Sequence, residues 1–135
     1  MQRKLVIMPE LWTFGDALDY LRREADAEDN LLPEQFYVVY VVDRSHHPIG
    51  DISLDKFLRN QRSILLADIM NKQPKTIPVV TDQEDVARLF RQMSLVAAPV
   101  IDGEGRLVGA ITIDDVVDVI DQEHEEDILH LGGVR

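Results

Sequence analysis

The chain of 135 residues contains no cysteine, which excludes disulfides, zinc–thiolate sites and thiol catalysis. It also lacks any run of the roughly 18 to 20 apolar residues that a bilayer-spanning helix needs. The longest apolar run, Phe36 to Val42, is one buried strand long. The start, Met1-Gln2-Arg3-Lys4, leads only through Leu5-Val6-Ile7-Met8 to Pro9 and is not expected to act as a signal peptide. Positive charge is scarce: 14 Lys and Arg against 25 Asp and Glu give a formal charge of −11. Nucleic acids and anionic membrane surfaces recruit basic footprints, so no nucleic-acid partner and no direct membrane insertion are expected. No G-x-S-x-G, P-loop, H-E-x-x-H or nucleophile–base pattern occurs, and no enzymatic activity is expected.

What is present is a core-sized apolar fraction, 45%, arranged as an internal repeat. Asp43 to Gly50 aligns with Asp102 to Gly109 at an offset of 59, which also pairs Val41 with Val100, Ile52 with Ile111, Ser53 with Thr112 and Asp55 with Asp114. Upstream, an offset of 69 pairs Pro9 with Pro78, Asp16 with Asp85 and Leu21 with Phe90. Repeat one therefore carries ten extra residues, around Glu24 to Glu34, where Asn30 and Pro33 indicate a loop.

Each repeat predicts the same elements. Short strands lie at 5–8 and 76–80. A helix follows, with Thr13 or Asp82 as N-cap and a buried stripe of Phe14, Ala17, Leu18 and Leu21, or of Val86, Leu89, Phe90 and Met93. Two strands come next, at 36–42 and 48–53 and again at 96–101 and 106–112, joined by the turn-rich segments Asp43–His47 and Asp102–Gly105. Gly50 and Gly109 fall inside strands, which indicates a bulge or a close backbone approach. A second helix begins near Leu54 and near Asp114. Such a β-α-β-β-α unit is too small to bury both faces of its sheet, so two copies should pack together. The boundaries read as 1–60, a linker at 61–67, 68–131, and a final 132–135.

A tandem α/β (α+β) repeat with D-x6-G-x4-D in each half resembles a pair of CBS motifs packed about a pseudo-two-fold axis, and Asp68-Ile69-Met70 is similar to the opening of a second motif. The runs Thr81 to Phe90, Gly105 to Ile120 and Glu125 to Val134 resemble the second CBS motif and exit helix of MgtE-type magnesium transporters. The resemblance implies a regulatory domain on the cytoplasmic side of the membrane, homodimeric through its CBS motifs. Its other partners would be an N-terminal domain and a transmembrane domain of the parent transporter, with a connecting helix expected where the chain stops at Gly132-Gly133-Val134-Arg135.

Acidity is concentrated at the same end. No Lys or Arg occurs between Leu107 and Val134, whereas eight acids fall between Asp114 and Asp127. On a helical wheel Asp114, Asp118, Asp121 and Glu125 form one stripe, and Ile113, Val116, Val117, Ile120 and Ile128 form the opposite, core-facing side. Acids spaced i, i+4 repel by a few tenths of a kcal/mol, roughly, and more when another acidic surface faces them. Mg²⁺ takes oxygen ligands, retains waters and needs few carboxylates per ion, so a loose acidic crowd suits it. Carried over by position, the resemblance implies Glu84, Asp115, Asp118, Glu123, Glu126 and Asp127 as Mg²⁺ ligands. One acid of the family falls on Ser94 here.

CBS clefts also hold adenine nucleotides, with a hydroxyl for phosphate and an Asp three residues later for ribose. Repeat two keeps this pair as Thr112 and Asp115, beside Ala98-Pro99, so ATP or another adenine nucleotide is a second candidate ligand, with Pro99, Thr112 and Asp115 as contacts. The alternative for Thr112 is a strand-end residue that caps the next helix. Repeat one has Ser53 but Lys56 in place of the Asp. His46 and His47 sit in a polar turn without a third ligand, so no metal site is expected there; Trp12 is expected to be a packing anchor. Three roles stay open: a gate for Mg²⁺ transport, an adenine-nucleotide sensor acting on another partner, and an accessory domain of an enzyme.

Overall fold

Val39 and Val41 point one way from their strand, Tyr40 and Val42 the other, and all four are buried, so this strand has to be covered on both faces. The computed structural model, which describes residues 5–27 and 38–117, shows how. Strand β1 (Ile7–Pro9) is followed by helix α1 (Phe14–Asp26), strands β2 (Val38–Val42) and β3 (Pro48–Ser53), and short helices α2 (Asp55–Arg59) and α3 (Leu66–Ile69). Strand β4 (Ile77–Pro78), helix α4 (Gln83–Met93) and strands β5 (Ala97–Ile101) and β6 (Leu107–Thr112) repeat the order, and the chain is helical again from 113 to 117. Each unit holds a three-stranded mixed sheet, β1-β2-β3 or β4-β5-β6, in which the first pair is parallel and the second antiparallel. This is the mixed α/β architecture expected of two β-α-β-β-α motifs.

The outer face of the first sheet, with Val39, Val41 and Ile52, packs against Phe14 and Ala17 of α1 and Phe57 of α2. Its inner face meets the second sheet, where Tyr40 and Val42 cluster with Leu107 and Ala110. Pairing slips by one residue between Val41 and Val42, and in the second sheet between Val100 and Ile101. Both slips adjoin the glycines singled out by the repeat, since Gly50 pairs with Val41 and Gly109 with Val100. The second slip lets Leu107 and Ala110 share the inner face although they stand three positions apart. At Gly50 the backbone approach is close: a Cβ there would lie 2.7 Å from Met70 Cγ and 3.1 Å from the Asn71 carbonyl.

Helix α1 begins as its sequence requires. Thr13 Oγ1 accepts from the Asp16 N–H, and the Asp16 carboxylate accepts from the Thr13 N–H, a reciprocal capping pair. Two further free N–H groups of its first turn, those of Phe14 and Gly15, donate to the carbonyls of Ile64 and Arg62 (both 2.9 Å). The stretch expected to be a linker is thus docked along the start of α1. It continues into α3, whose Leu66 is fully buried in the first core, and then into Asn71, which exchanges backbone hydrogen bonds with Asp51 (2.9 and 3.2 Å).

Three local expectations need correction. Asp82 stands at the N-cap of α4, but its side chain makes no capping bond. Met93 is half exposed (49%), because α4 ends there: Ser94 turns left-handed (φ 52°) and its N–H returns to the Phe90 carbonyl. Val117 is likewise exposed, whereas Val116 one residue earlier is buried, so Val117 does not share the core-facing side of residues 113–117; Ile120 and Ile128 lie outside the described residues. The Gly50 contacts give a direct test. Gly50→Val should destabilise the fold by roughly 1–3 kcal/mol through overpacking against Met70 and Asn71, measured by urea unfolding.

Candidate functional site

Each repeat ends its last strand in a hydroxyl residue that leads into a helix, Ser53 in one and Thr112 in the other; Ser53 lines a depression in the first, whereas the depression in the second is bounded by Ile111 and Asp115 and not by Thr112. The first, about 200 Å³, is lined by Val38, Asp51, Ser53, Lys56, Ile69 and Asn71. The second, about 190 Å³, is lined by Thr81, Gln83, Val86, Ile111, Asp115 and Val116. The backbones correspond, but the hydrogen bonds do not. Ser53 Oγ donates to Asp55 Oδ1 at 2.6 Å. In repeat two it is the Asp115 carboxylate that accepts, from the Thr112 backbone N–H at 2.9 Å.

This leaves the Thr112 hydroxyl in an unusual position. The residue is only 4% exposed, and its Oγ1 has no hydrogen-bond partner among the described residues. Thr112 therefore does not cap the following helix with its side chain; Asp115 ties down that junction instead. A buried hydroxyl without a partner costs about 1–3 kcal/mol, and a ligand oxygen would satisfy it. Pro99 is fully buried and pairs with Ala110, on the same sheet face as Thr112 by the two-residue alternation of the strands. Pro99 and Thr112 are thus brought to one face, and Asp115 is tied to the backbone of Thr112.

Of the six acids expected to hold Mg²⁺, Glu84 lies exposed in the first turn of α4 and Asp115 lies exposed in the helix that begins at 113. Asp118, Glu123, Glu126 and Asp127 fall outside the described residues, among which no group of three His, Asp or Glu side chains is placed to hold a metal ion. His46 and His47 form no metal cluster there either. Trp12 packs edge-on against Tyr20 at 5.4 Å between ring centroids, as an anchor should.

The inner face of repeat one also carries a polar pair that its motifs do not announce. Tyr40 and Asp51 are cross-strand partners. The Tyr40 hydroxyl is buried without a partner among the described residues, and its proton is held far more tightly than usual, by burial first and then by the charge of Asp51. Burial likewise raises the Asp51 carboxyl above the ordinary range, against a hydrogen bond from the Asn71 side chain. The signal was available: at the offset of 59, Tyr40 faces Pro99 and Asp51 faces Ala110, so repeat one places polar groups where its copy is apolar.

An acid whose folded-state pKa is raised keeps its proton better folded than unfolded. Its contribution is therefore lost as pH climbs from the ordinary carboxylate range through the raised value, and ionised Asp51 weakens the fold at neutral pH. Asp51→Asn should raise the thermal midpoint at pH 7 by a degree or two, roughly, and the gain should vanish as pH falls to about 4, measured by paired calorimetric scans.

Among the described residues no helix is long and apolar enough to cross a membrane. The CBS domain family matches residues 66–122. The magnesium transporter MgtE of Enterococcus faecalis is 40% identical over 122 residues, which cover 90% of this chain and 26% of that protein. The crystal structure of the soluble part of a magnesium transporter superposes with a TM-score of 0.78 at 38% identity, covering 89% of this chain and 45% of that one. The cytosolic domain of the Mg²⁺ channel MgtE, solved in complex with ATP, gives a TM-score of 0.76 at 38% identity, over 87% and 45% of the two chains. A fold in two interlocked repeats and a likeness that runs through nearly the whole chain lead to one assignment: the chain belongs to the MgtE family, as its CBS-domain pair.

Proposed function

We propose that this CBS pair is a Mg²⁺-sensing regulatory module that gates a magnesium transporter or channel from the cytoplasmic side, acting as a homodimer. The chain spans about a quarter of its Enterococcus relative, so the pore and the N-terminal domain would be supplied by the rest of a longer protein. The observation that carries the sensing role is charge. Eight acids fall between Asp114 and Asp127 in a sequence segment, Leu107 to Val134, that contains no Lys or Arg, and Asp114 and Asp115, where those acids begin, lie exposed beside buried Val116. A regulatory role, rather than a catalytic one, agrees with the relatives.

The mechanism follows from repulsion. With Mg²⁺ bound, Glu84, Asp115, Asp118, Glu123, Glu126 and Asp127 can face a partner protomer or an adjoining domain closely, and the compact dimer holds the pore shut. When Mg²⁺ falls, the carboxylates separate and the pore is released. The ion shifts this balance only by its differential affinity for the compact state. Mg²⁺ should raise thermal stability by about 1.4 kcal/mol at ten times its dissociation constant and reduce the radius of gyration in X-ray scattering. Asp118→Asn, Glu126→Gln and Asp127→Asn together should remove most of both effects. An unchanged response in that triple variant would overturn the assignment of these ligands.

A specific observation favours a second ligand. The unpartnered Thr112 hydroxyl, with Pro99 on its sheet face and Asp115 at the next helix, supports an adenine-nucleotide site in repeat two, where ATP would act beside Mg²⁺. The nucleotide-sensor alternative without Mg²⁺ rests on the same residues. Thr112→Val replaces the orphan hydroxyl with a methyl and should leave the ligand-free midpoint unchanged or slightly higher, while abolishing most of the midpoint shift produced by ATP. Retention of the full ATP shift would place the nucleotide elsewhere.

A further inference from the structure

The two repeats touch not only through their sheets but also through their turns. In the first turn Asp43 Oδ1 accepts from the N–H groups of Ser45 and His47 (both 2.9 Å). In the second, Asp102 Oδ1 accepts from those of Glu104 and Arg106 (2.9 and 3.0 Å). Across the gap, the Leu107 N–H donates to the His46 carbonyl at 2.9 Å. The His47 ring lies between the turns, with Nδ1 3.2 Å from Asp43 Oδ2 and Nε2 3.2 Å from the Glu104 carbonyl. Its Cδ2 is so close to Gly105 that a Cβ there would lie 3.3 Å away.

Both atoms facing the ring are acceptors only, because a carbonyl oxygen cannot donate and a carboxylate cannot either. The Asp43 carboxyl stays ionised: the His47 backbone N–H, then its ring and the Ser45 N–H, hold it below the usual carboxylate range against a burial effect of opposite sign. A neutral imidazole has one N–H and can donate to only one of the two oxygens; an imidazolium donates to both. At the offset of 59 the place of His47 is taken by Arg106, which bonds Asp102 through Nε at 3.1 Å and Glu104 through Nη2 at 3.1 Å. The other charged or titratable groups of the two turns are Arg44 and His46, both exposed, and the Asp102 and Glu104 carboxylates just described, each already matched to Arg106.

We propose that His47 is a proton-operated clasp between the two repeats, which bridges both turns as an imidazolium and releases one of them when neutral. The sign follows directly. The second hydrogen bond exists only while the ring is an imidazolium, and only in the folded chain. Stability from the clasp is present at low pH and lost as pH rises through the range in which imidazoles titrate, about 5 to 8.

The test compares the full chain with His47→Gln at about pH 5.5 and about pH 8. The thermal midpoint advantage of the parent chain should be larger at the lower pH by roughly 2–4 °C, and the exchange protection of the Leu107 amide should fall severalfold with rising pH in the parent but not in the variant. Asp43→Asn keeps an oxygen for the turn N–H groups and loses the charge, and it should flatten both pH dependences while the fold persists. An equal midpoint gap at both pH values, or Leu107 protection in His47→Gln that tracks the parent chain, would overturn the clasp.

Discussion

Each sheet in this protein has two apolar faces and only one set of helices to cover them. Helices α1 and α2 close the outer side of the first sheet, and the inner side is left with Tyr40 and Val42. Exposing such side chains forfeits roughly 1.5–3 kcal/mol apiece, and the inner face of the other sheet, with Leu107 and Ala110, covers them. The rest of the architecture serves that contact. The bulges beside Gly50 and Gly109 turn side chains toward it, and the hydrogen bond from Leu107 to the His46 carbonyl fixes the two sheets against each other at one edge.

The doubled architecture was legible because duplication leaves a record that single-element reading lacks. Asp43 and Asp102 announce equivalent turns whatever their neighbours do, and Thr13 caps α1 by a purely local bond. What could not be read depends on distant chain segments. Nothing within 61–67 shows that its carbonyls will satisfy the first turn of α1, and nothing in Asp82 shows that its carboxylate will leave α4 uncapped. At the candidate site, Thr112 and Asp115 were legible as a pair. Which of them would tie the strand to the helix was decided by the backbone course at 112–115.

The copies differ at the positions that carry their polar chemistry. Tyr40, Asp51, Lys56 and His47 stand opposite Pro99, Ala110, Asp115 and Arg106 at the offset of 59. One backbone plan therefore carries two sets of side chains. Among the described residues, repeat one has the cross-strand Tyr40 and Asp51 pair, with its own unpartnered hydroxyl on Tyr40, and repeat two has the unpartnered Thr112 hydroxyl and the entry to the acidic segment. The shared inner contact couples the two ends mechanically, because close-packed interiors yield little.

The strap from Arg62 to Asn71 has a consequence for how this fold is divided. The CBS match begins at residue 66, yet Leu66 fills the hydrophobic core of the preceding repeat. The matched segment and the core of the first repeat therefore overlap at Leu66. Excising either half at that seam would hand the plug to the wrong fragment and leave a hollow in the other. A first repeat cut free at that seam would need another apolar side chain in the place of Leu66 to close its core.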